Sequence, residues 1–166
     1  MKNIVVEITL TTDAEGGTTT FYFSTHGFTT ESGDTPPNEH IAGRVKDAGR
    51  LKRELFSSGR VIGAIKPSFG EIVLANPDGG LDDWIDYGAS GGRVVVRIGE
   101  EGNPYPGDND METGHETVYI AYVQSLICNF REVRVRLRDR MQKLDKPVVT
   151  ATFDGSGGLE GTGVAS

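Results

Sequence analysis

The chain opens with alternation. In "KNIVVEITL", Ile4, Val6, Ile8 and Leu10 recur on one side with period two, the mark of a strand with one face in a core. "TDAEGG" supplies two glycines that accept positive φ, and "TTTFYFST" returns, so residues 3–24 read as a β-hairpin. Residues 26–38, "HGFTTESGDTPPN", are polar, broken by Pro36 and Pro37, and read as a long loop. "HIAGRVKDAGRLKRELFSSG" is rich in Arg, Lys and Leu, but Gly43 and Gly49 oppose a long helix. Two strands, near 40–47 and 50–56, fit better.

"GRVIGAIKPSFGEIVLAN" predicts a short strand, a Pro-containing turn and a further strand ending at Ala75. "LDDWIDYGAS" predicts a short helical turn stopped by Gly88. In "GRVVVRIGE", Arg93, Val95 and Arg97 alternate against Val94, Val96 and Ile98, which predicts a strand with one wet face. Residues 99–116 form a second long polar loop, and "TVYIAYVQSLICNF" a long strand. "REVRVRLRDR" turns Val133, Val135 and Leu137 inward and Arg134, Arg136 and Arg138 outward. "DRMQKLDKP" fits a short helix ended before Pro147, and "VVTATF" a last strand. The expected fold is mainly β: one sandwich or barrel-like domain over residues 1–153, of roughly eight to ten strands with one or two short helices. Residues 154–166, "DGSGGLEGTGVAS", read as a glycine-rich linker or C-terminal extension.

Composition sharpens this picture in three places. At 166 residues the chain suits one ordinary domain, and its 23 glycines, about twice the usual share, suit many turns between short strands. A formal net charge of -7 disfavours nucleic acid as a partner, since phosphate binding needs basic patches. The single cysteine, Cys128, excludes an internal disulfide and a multi-cysteine zinc site, and reads as a small buried hydrophobe. No run of about 18 apolar residues occurs, so no membrane span is predicted. The first residues read as a strand rather than a signal peptide, which points to action or assembly in cytosol.

The chemistry turns on "NPDGGLDDW", residues 76–84. An EF-hand counted from Asn76 has Asp78 at position three but fails at five, six and twelve, which are Gly80, Leu81 and Tyr87. Asn76-Pro77-Asp78-Gly79 instead has tight-turn chemistry, with Asp82 or Asp83 placed to cap the short helix and Trp84 and Ile85 to tuck it against the sheet. "GDNDMETGHE" is oxygen-rich without a metal-ligand spacing. His26, His40 and His115 fall in predicted loops or at strand edges, with no HExxH pair and no GxSxG elbow. No catalytic residue, metal or cofactor is assigned.

Arg131, Arg134, Arg136, Arg138 and Arg140 form a cationic row in an acidic chain. Such a row on a strand discourages wrong edge pairing and suits a partner bearing carboxylates. It reads first as a solvated sheet face, next as a subunit contact and last as a nucleic-acid contact. The long loops at 26–38 and 99–116 are expected to face partners, and residues 103–112 to be dispensable for folding. The interface candidates are therefore Arg134, Arg136 and Arg138, with Asp108 and Asp110 on the second loop. Tyr22, Trp84, Tyr87, Tyr105, Tyr119 and Tyr122 offer stacking surfaces for a second reading, a carbohydrate- or receptor-binding module that engages a host surface glycan.

From Phe21 to Phe153 the chain resembles the tail-tip (baseplate) proteins of long-tailed, Mu-like siphophages and related prophages, in their N-terminal domain. The resemblance rests on "FYFSTHGFTT" before an acidic, proline-containing gap, and on "RELFSSGRVIGAIKPSFGEIVLANPDGGLDDWIDYGASGGRVVVRIGE". Within the latter, Leu55-Phe56, Gly70 through Asn76, Asp78-Gly79, Leu81-Asp82 and Gly92-Arg93 match the shared elements, and "GGLEGT" resembles the point where members continue into further domains. These motifs are structural rather than catalytic. The likeness implies a ring-forming β domain at the distal end of a virion tail, assembled in the host cytoplasm. Its implied contacts are other copies of itself and tube, hub or fibre proteins. It spans both a distal-tail ring adaptor and the N-terminal piece of a hub or fibre-attachment protein.

Overall fold

The computed structural model describes residues 1–13, 15–54, 66–107 and 113–139. The short strand expected ahead of Lys66, the helix and strand expected after Asp139, and the tail at 154–166 lie outside the described residues.

The predicted hairpin forms as β1 (Lys2–Thr11) and β2 (Thr18–Ser24), paired antiparallel from Val5 opposite Ser24 to Thr11 opposite Thr18. The strands that follow are β3 (Phe28–Thr29), β4 (His40–Ile41), β5 (Val45–Asp47), β6 (Leu51–Glu54), β7 (Lys66–Phe69) and β8 (Glu71–Ala75). A 3-10 helix, η1 (Asp82–Asp86), precedes β9 (Arg93–Glu100), β10 (His115–Cys128) and β11 (Glu132–Arg138). Seven of these strands make one antiparallel sheet in the order β2-β1-β9-β10-β11-β8-β5, while β3–β4 and β6–β7 form two small ladders. The fold is mainly β, as the alternation predicts.

The sheet curls around its core. One cluster takes buried residues from every strand of the large sheet, so Phe23 of edge strand β2 and Val45 of edge strand β5 share it. Ser24 N donates to Ala42 O at 2.9 Å, which ties the β2 edge to the segment leading into β5. The inward set on β1 is Val6, Ile8 and Leu10, with Ile4 packed against them, which is the period-two set of the sequence. Two β-bulges bend β10, one between Thr117 and Tyr119 and one between Val123 and Ser125. Each extra residue sharpens the local twist and re-phases the strand. Tyr119, Ala121 and Val123 therefore point inward before the second bulge, and Leu126 and Cys128 after it.

η1 closes one end of the core. In a 3-10 helix side chains three apart eclipse, and Leu81, Trp84 and Tyr87 form the inward stripe. Trp84 packs its ring 5.0 Å from Phe21 and 5.6 Å from Phe23, centroid to centroid. The expected cap is absent. Leu81 occupies the N-cap position with no side-chain cap bond, because Asp82 is engaged by Asn76 instead.

Three further expectations need correction. Lys66–Phe69 is a strand rather than a turn around Pro67, in a two-stranded ladder where a missing N–H is tolerated. Residues 26–38 are not loop throughout, since Phe28 and Thr29 pair with Ile41 and His40. The second face of β9 is not wet: Val95 and Val5 are buried there, covered by a smaller cluster of Ile41 and Tyr105 with Tyr22 and Phe28 against it. That lid of β3, β4 and the 101–107 segment covers the β2-β1-β9 half of the outer face. The β10-β11-β8 half carries no such layer among the described residues.

Candidate interaction surface

Beneath the lid sits a polar junction that sequence reasoning missed. Glu7 projects from β1 onto the covered outer face, where its Oε1 accepts from Arg97 Nε at 2.7 Å and from the Tyr105 hydroxyl at 2.6 Å. Arg97 Nη1 donates onward to Thr117 Oγ1 at 2.8 Å. The Tyr105 backbone N–H donates to Asp34 Oδ1 at 3.0 Å, and Thr35 N donates to Tyr105 O at 2.9 Å, so the two long loops fasten to each other. Burial, followed by the charge of Glu7, raises the Tyr105 hydroxyl far above its ordinary value, so it stays a donor. Among the described residues no buried side-chain polar atom lacks a hydrogen-bond partner. The junction is satisfied internally and holds the lid to the sheet. Glu7 and Arg97 left a trace in the sequence, as lone charges amid valines on opposing strands. The convergence of Arg97 and Tyr105 on Glu7, 90 and 98 residues earlier in the chain, did not.

His115 belongs to the same region and lies in a strand rather than in the polar loop expected over residues 99–116. It starts β10 but is buried, stacked parallel to Phe28 at 5.9 Å and edge-on to Tyr105 at 5.1 Å. Its Nδ1 lies 3.2 Å from Pro104 O, which places the proton on Nδ1. Residues 103–112 are accordingly not dispensable for folding, because Tyr105 is part of the core.

The uncovered half of the outer face carries the arginine row. Val133, Val135 and Leu137 point inward, and Arg134, Arg136 and Arg138 outward, as the alternation predicts. The three arginines differ in their surroundings. Arg134 bonds Glu132 Oε1 at 2.6–2.7 Å and Glu71 Oε1 at 2.9 Å, and its hydrogen bond, with its charge, holds the Glu132 carboxyl below its ordinary value. Arg138 reaches Ser90 Oγ at 3.4 Å. Arg136 is exposed and forms no ion pair among the described residues. Ile120 and Ile127 of β10 stand exposed on the same face. Asp108 and Asp110 lie outside the described residues.

The hairpin between β10 and β11 ends in a projecting aromatic. Asn129 N donates to Glu132 O at 3.0 Å, and Asn129 Oδ1 accepts from the N–H groups of Arg131 at 3.0 Å and Glu132 at 2.9 Å. Asn76 N donates to Arg131 O at 2.8 Å, anchoring the turn to the end of β8. On this braced turn Phe130 is 91% exposed. A shallow hollow of about 270 Å³ opens beside it, lined by Asp82, Ile85, Cys128 and Asn129, and Ile85 is 73% exposed. Burial and Asp82 push the Cys128 thiol up, so it stays protonated.

Residues 76–84 are scaffolding. Arg44 grips Asp78 with two parallel bonds of 2.7 and 2.6 Å, and its guanidinium holds that carboxyl well below the usual carboxylate range. The buried Asn76 side chain accepts from Leu81 N at 2.9 Å and donates to Asp82 Oδ1 at 2.7 Å. Gly79 takes φ 69°, which the turn requires. The Asn76, Asp78 and Asp82 side chains thus direct oxygens to a backbone N–H, a guanidinium and a side-chain amide. Among the described residues no group of three or more His, Cys, Asp or Glu is placed to hold a metal ion. No described helix is long and apolar enough to cross a membrane.

Compared with known proteins, the chain matches no protein-family model and no curated protein sequence.

Proposed function

We propose that the chain is a structural component of a bacteriophage tail tip, a ring-forming distal-tail or hub-type protein that links the tail tube to hub or fibre proteins. The observation that carries this reading is the uncovered face of β10, β11 and β8, where Arg136 and the exposed Ile120 and Ile127 project from a rigid hydrogen-bonded ladder. A face that sets the exposed Arg136 beside apolar side chains on a stiff scaffold suits a protein partner better than solvent alone. The resemblance of residues 21–153 to tail-tip proteins supports the same direction. In a closed ring each copy meets its neighbours through two different patches, so the acidic remainder of the surface is the natural counterpart of the arginine row. The exposed rims of the loops near residues 31–40 and 101–103 extend the contact to neighbouring tail proteins. The proposed site of action is the virion tail tip, after assembly in the host cytoplasm.

The glycan-binding reading loses support from burial. Trp84, Tyr105 and Tyr119 are core residues, and Tyr22, Tyr87 and Tyr122 are half-buried, so none of the six presents an open stacking face.

Two measurements test the proposal. Native mass spectrometry of the purified chain is expected to give a closed multiple of the protomer, reduced by Arg136→Glu and by raised salt. Gold-labelled antibody is expected to decorate the distal tail end of particles made by the encoding phage or prophage. A chain that labels no particle, or a mass indifferent to Arg136→Glu, overturns it.

A further inference from the structure

We propose that the Phe130 end of the molecule is a two-fold contact between copies of this chain, in which Phe130 of each copy enters the hollow beside Phe130 of the other. This contact is independent of the tail-tip assignment and distinct from the arginine face.

The patch has the makeup of an association surface. Among the described residues Phe130 and Ile85 are the two most exposed large hydrophobics apart from Met1, and one hollow joins them. A lone exposed apolar side chain is ordinary, but an aromatic on a braced turn beside an apolar hollow is a rigid anchor next to its own socket. The three bonds to Asn129 and the one from Asn76 fix the turn before any partner arrives, so little conformational freedom is lost on docking.

The charges decide which partner fits. On the hollow's side of Phe130 lies η1. Asp82 and Ile85 form the stripe that lines the hollow, and Asp83 and Asp86 the exposed stripe beside it. On the other side a second hollow is lined by Lys46, Arg131 and Glu132, where Lys46 pairs with Glu132 at 3.5 Å and Arg131 stands outside that pair. Asp83, Asp86 and Arg131 form no ion pair among the described residues. The patch is therefore apolar at its centre, with the unpaired carboxylates of Asp83 and Asp86 on one flank and the unpaired guanidinium of Arg131 on the other. A two-fold rotation about that centre sets the acidic flank of each copy against the basic flank of its mate, which makes the surface complementary to itself. An unrelated partner would have to match this division by coincidence.

The experiment follows the mass of the full chain by native mass spectrometry and sedimentation at micromolar concentration. Phe130→Ser is expected to halve the assembly mass, from pair to single copy, or from double ring to single ring if the arginine face also closes. Its far-ultraviolet circular dichroism and melting midpoint should stay at wild-type values, because the side chain is exposed. Arg131→Glu alone, and Asp83→Lys with Asp86→Lys alone, should each weaken pairing at least tenfold by placing like charges opposite. An equal mixture of those two variants should restore it as a mixed pair, since every flank again meets its opposite. A wild-type mass of odd copy number, an unchanged mass with Phe130→Ser, or a mixture that pairs no better than its components overturns the proposal. If Phe130→Ser alters the melting midpoint and not the mass, the occupant is a segment of the same chain and the two-fold contact is refuted.

Discussion

Tyr105 and Arg97 donate to one carboxylate oxygen, Glu7 Oε1, from positions 98 and 90 residues along the chain. The shared acceptor ties the lid of loops to the first strand of the sheet, and it does so with hydrogen bonds to an ionised group, the stronger kind. Glu7 is the hub and Tyr105 one spoke. Tyr105→Phe keeps the ring packing against Tyr22, Phe28 and His115 and removes only the hydroxyl, so it should cost about 1.5–3 kcal/mol. Glu7→Ala should cost more, because it strands Arg97, whose side chain is only 18% exposed. Urea denaturation of the two variants checks the order, and a smaller loss for Glu7→Ala than for Tyr105→Phe would show that Arg97 finds another partner.

Gly99 sits directly opposite His115 in the β9–β10 ladder. A Cβ there would stand 2.5 Å from His115 Cδ2 and 2.6 Å from Cγ, with Gly114 O at 2.7 Å. The imidazole is walled in by Phe28 and Tyr105 and cannot swing away. Gly99→Ala should destabilise the fold by about 1–3 kcal/mol, the usual range for overpacking a filled core. Gly33→Ala is the control, since a Cβ at Gly33 meets nothing within 4 Å. Thermal melting of both variants separates this steric effect from the general loss of chain freedom.

His115 also predicts a pH dependence. Burial lowers its pKa, the hydrogen bond to Pro104 O offsets part of that, and the nearby Arg97 charge lowers it further against a smaller opposing effect of Asp34. The unfolded chain therefore takes up a proton at this residue before the folded chain does. Stability from the neutral imidazole is complete above the unfolded value near 6.5 and falls as pH drops below it towards the lower folded value. Urea midpoints at pH 7.5 and pH 5.5 should differ more in the wild type than in His115→Gln. Equal pH slopes would mean that His115 titrates alike in the folded and the unfolded chain.

How much of this was legible follows from what alternation can encode. Period two located β1, β2, β9, β10 and β11 and assigned Val133, Val135 and Leu137 correctly to the core, because each strand's inner face is a local pattern. The bulge at Gln124 was invisible, since an uninterrupted period would bury Ile127 and expose Leu126, and the opposite occurs. Asn76 and Arg44 illustrate the other limit. The turn chemistry of "NPDG" could be read, but Asp78 is held by a guanidinium 34 residues away and Asp82 by an amide rather than by a helix end. The lid was mistaken for free loop because Tyr105 lies between two prolines in a polar stretch, and only its burial marks it as core. Of the interface candidates, the arginine face was legible as a face, whereas Phe130 was not. Its neighbours in sequence read as the end of a buried strand.

Asn129 provides the remaining test, on the turn that carries Phe130. Two-residue hairpin turns commonly rely on positive φ, yet neither Phe130 nor Arg131 adopts it. The Asn129 side chain supplies the missing closure by accepting the N–H groups of Arg131 and Glu132. Asn129→Ala removes that acceptor and leaves both donors to water, a loss of about 0.5–1.5 kcal/mol because the site is exposed. Asn129→Asp keeps an oxygen in place and should restore most of it. Amide hydrogen exchange resolves the effect locally: Arg131 and Glu132 should exchange faster in Asn129→Ala while the Val133 and Val135 amides, deep in the ladder, stay protected. Uniformly faster exchange along β11 would instead mean that the turn holds the strand register, and that Asn129 stabilises the sheet rather than the tip.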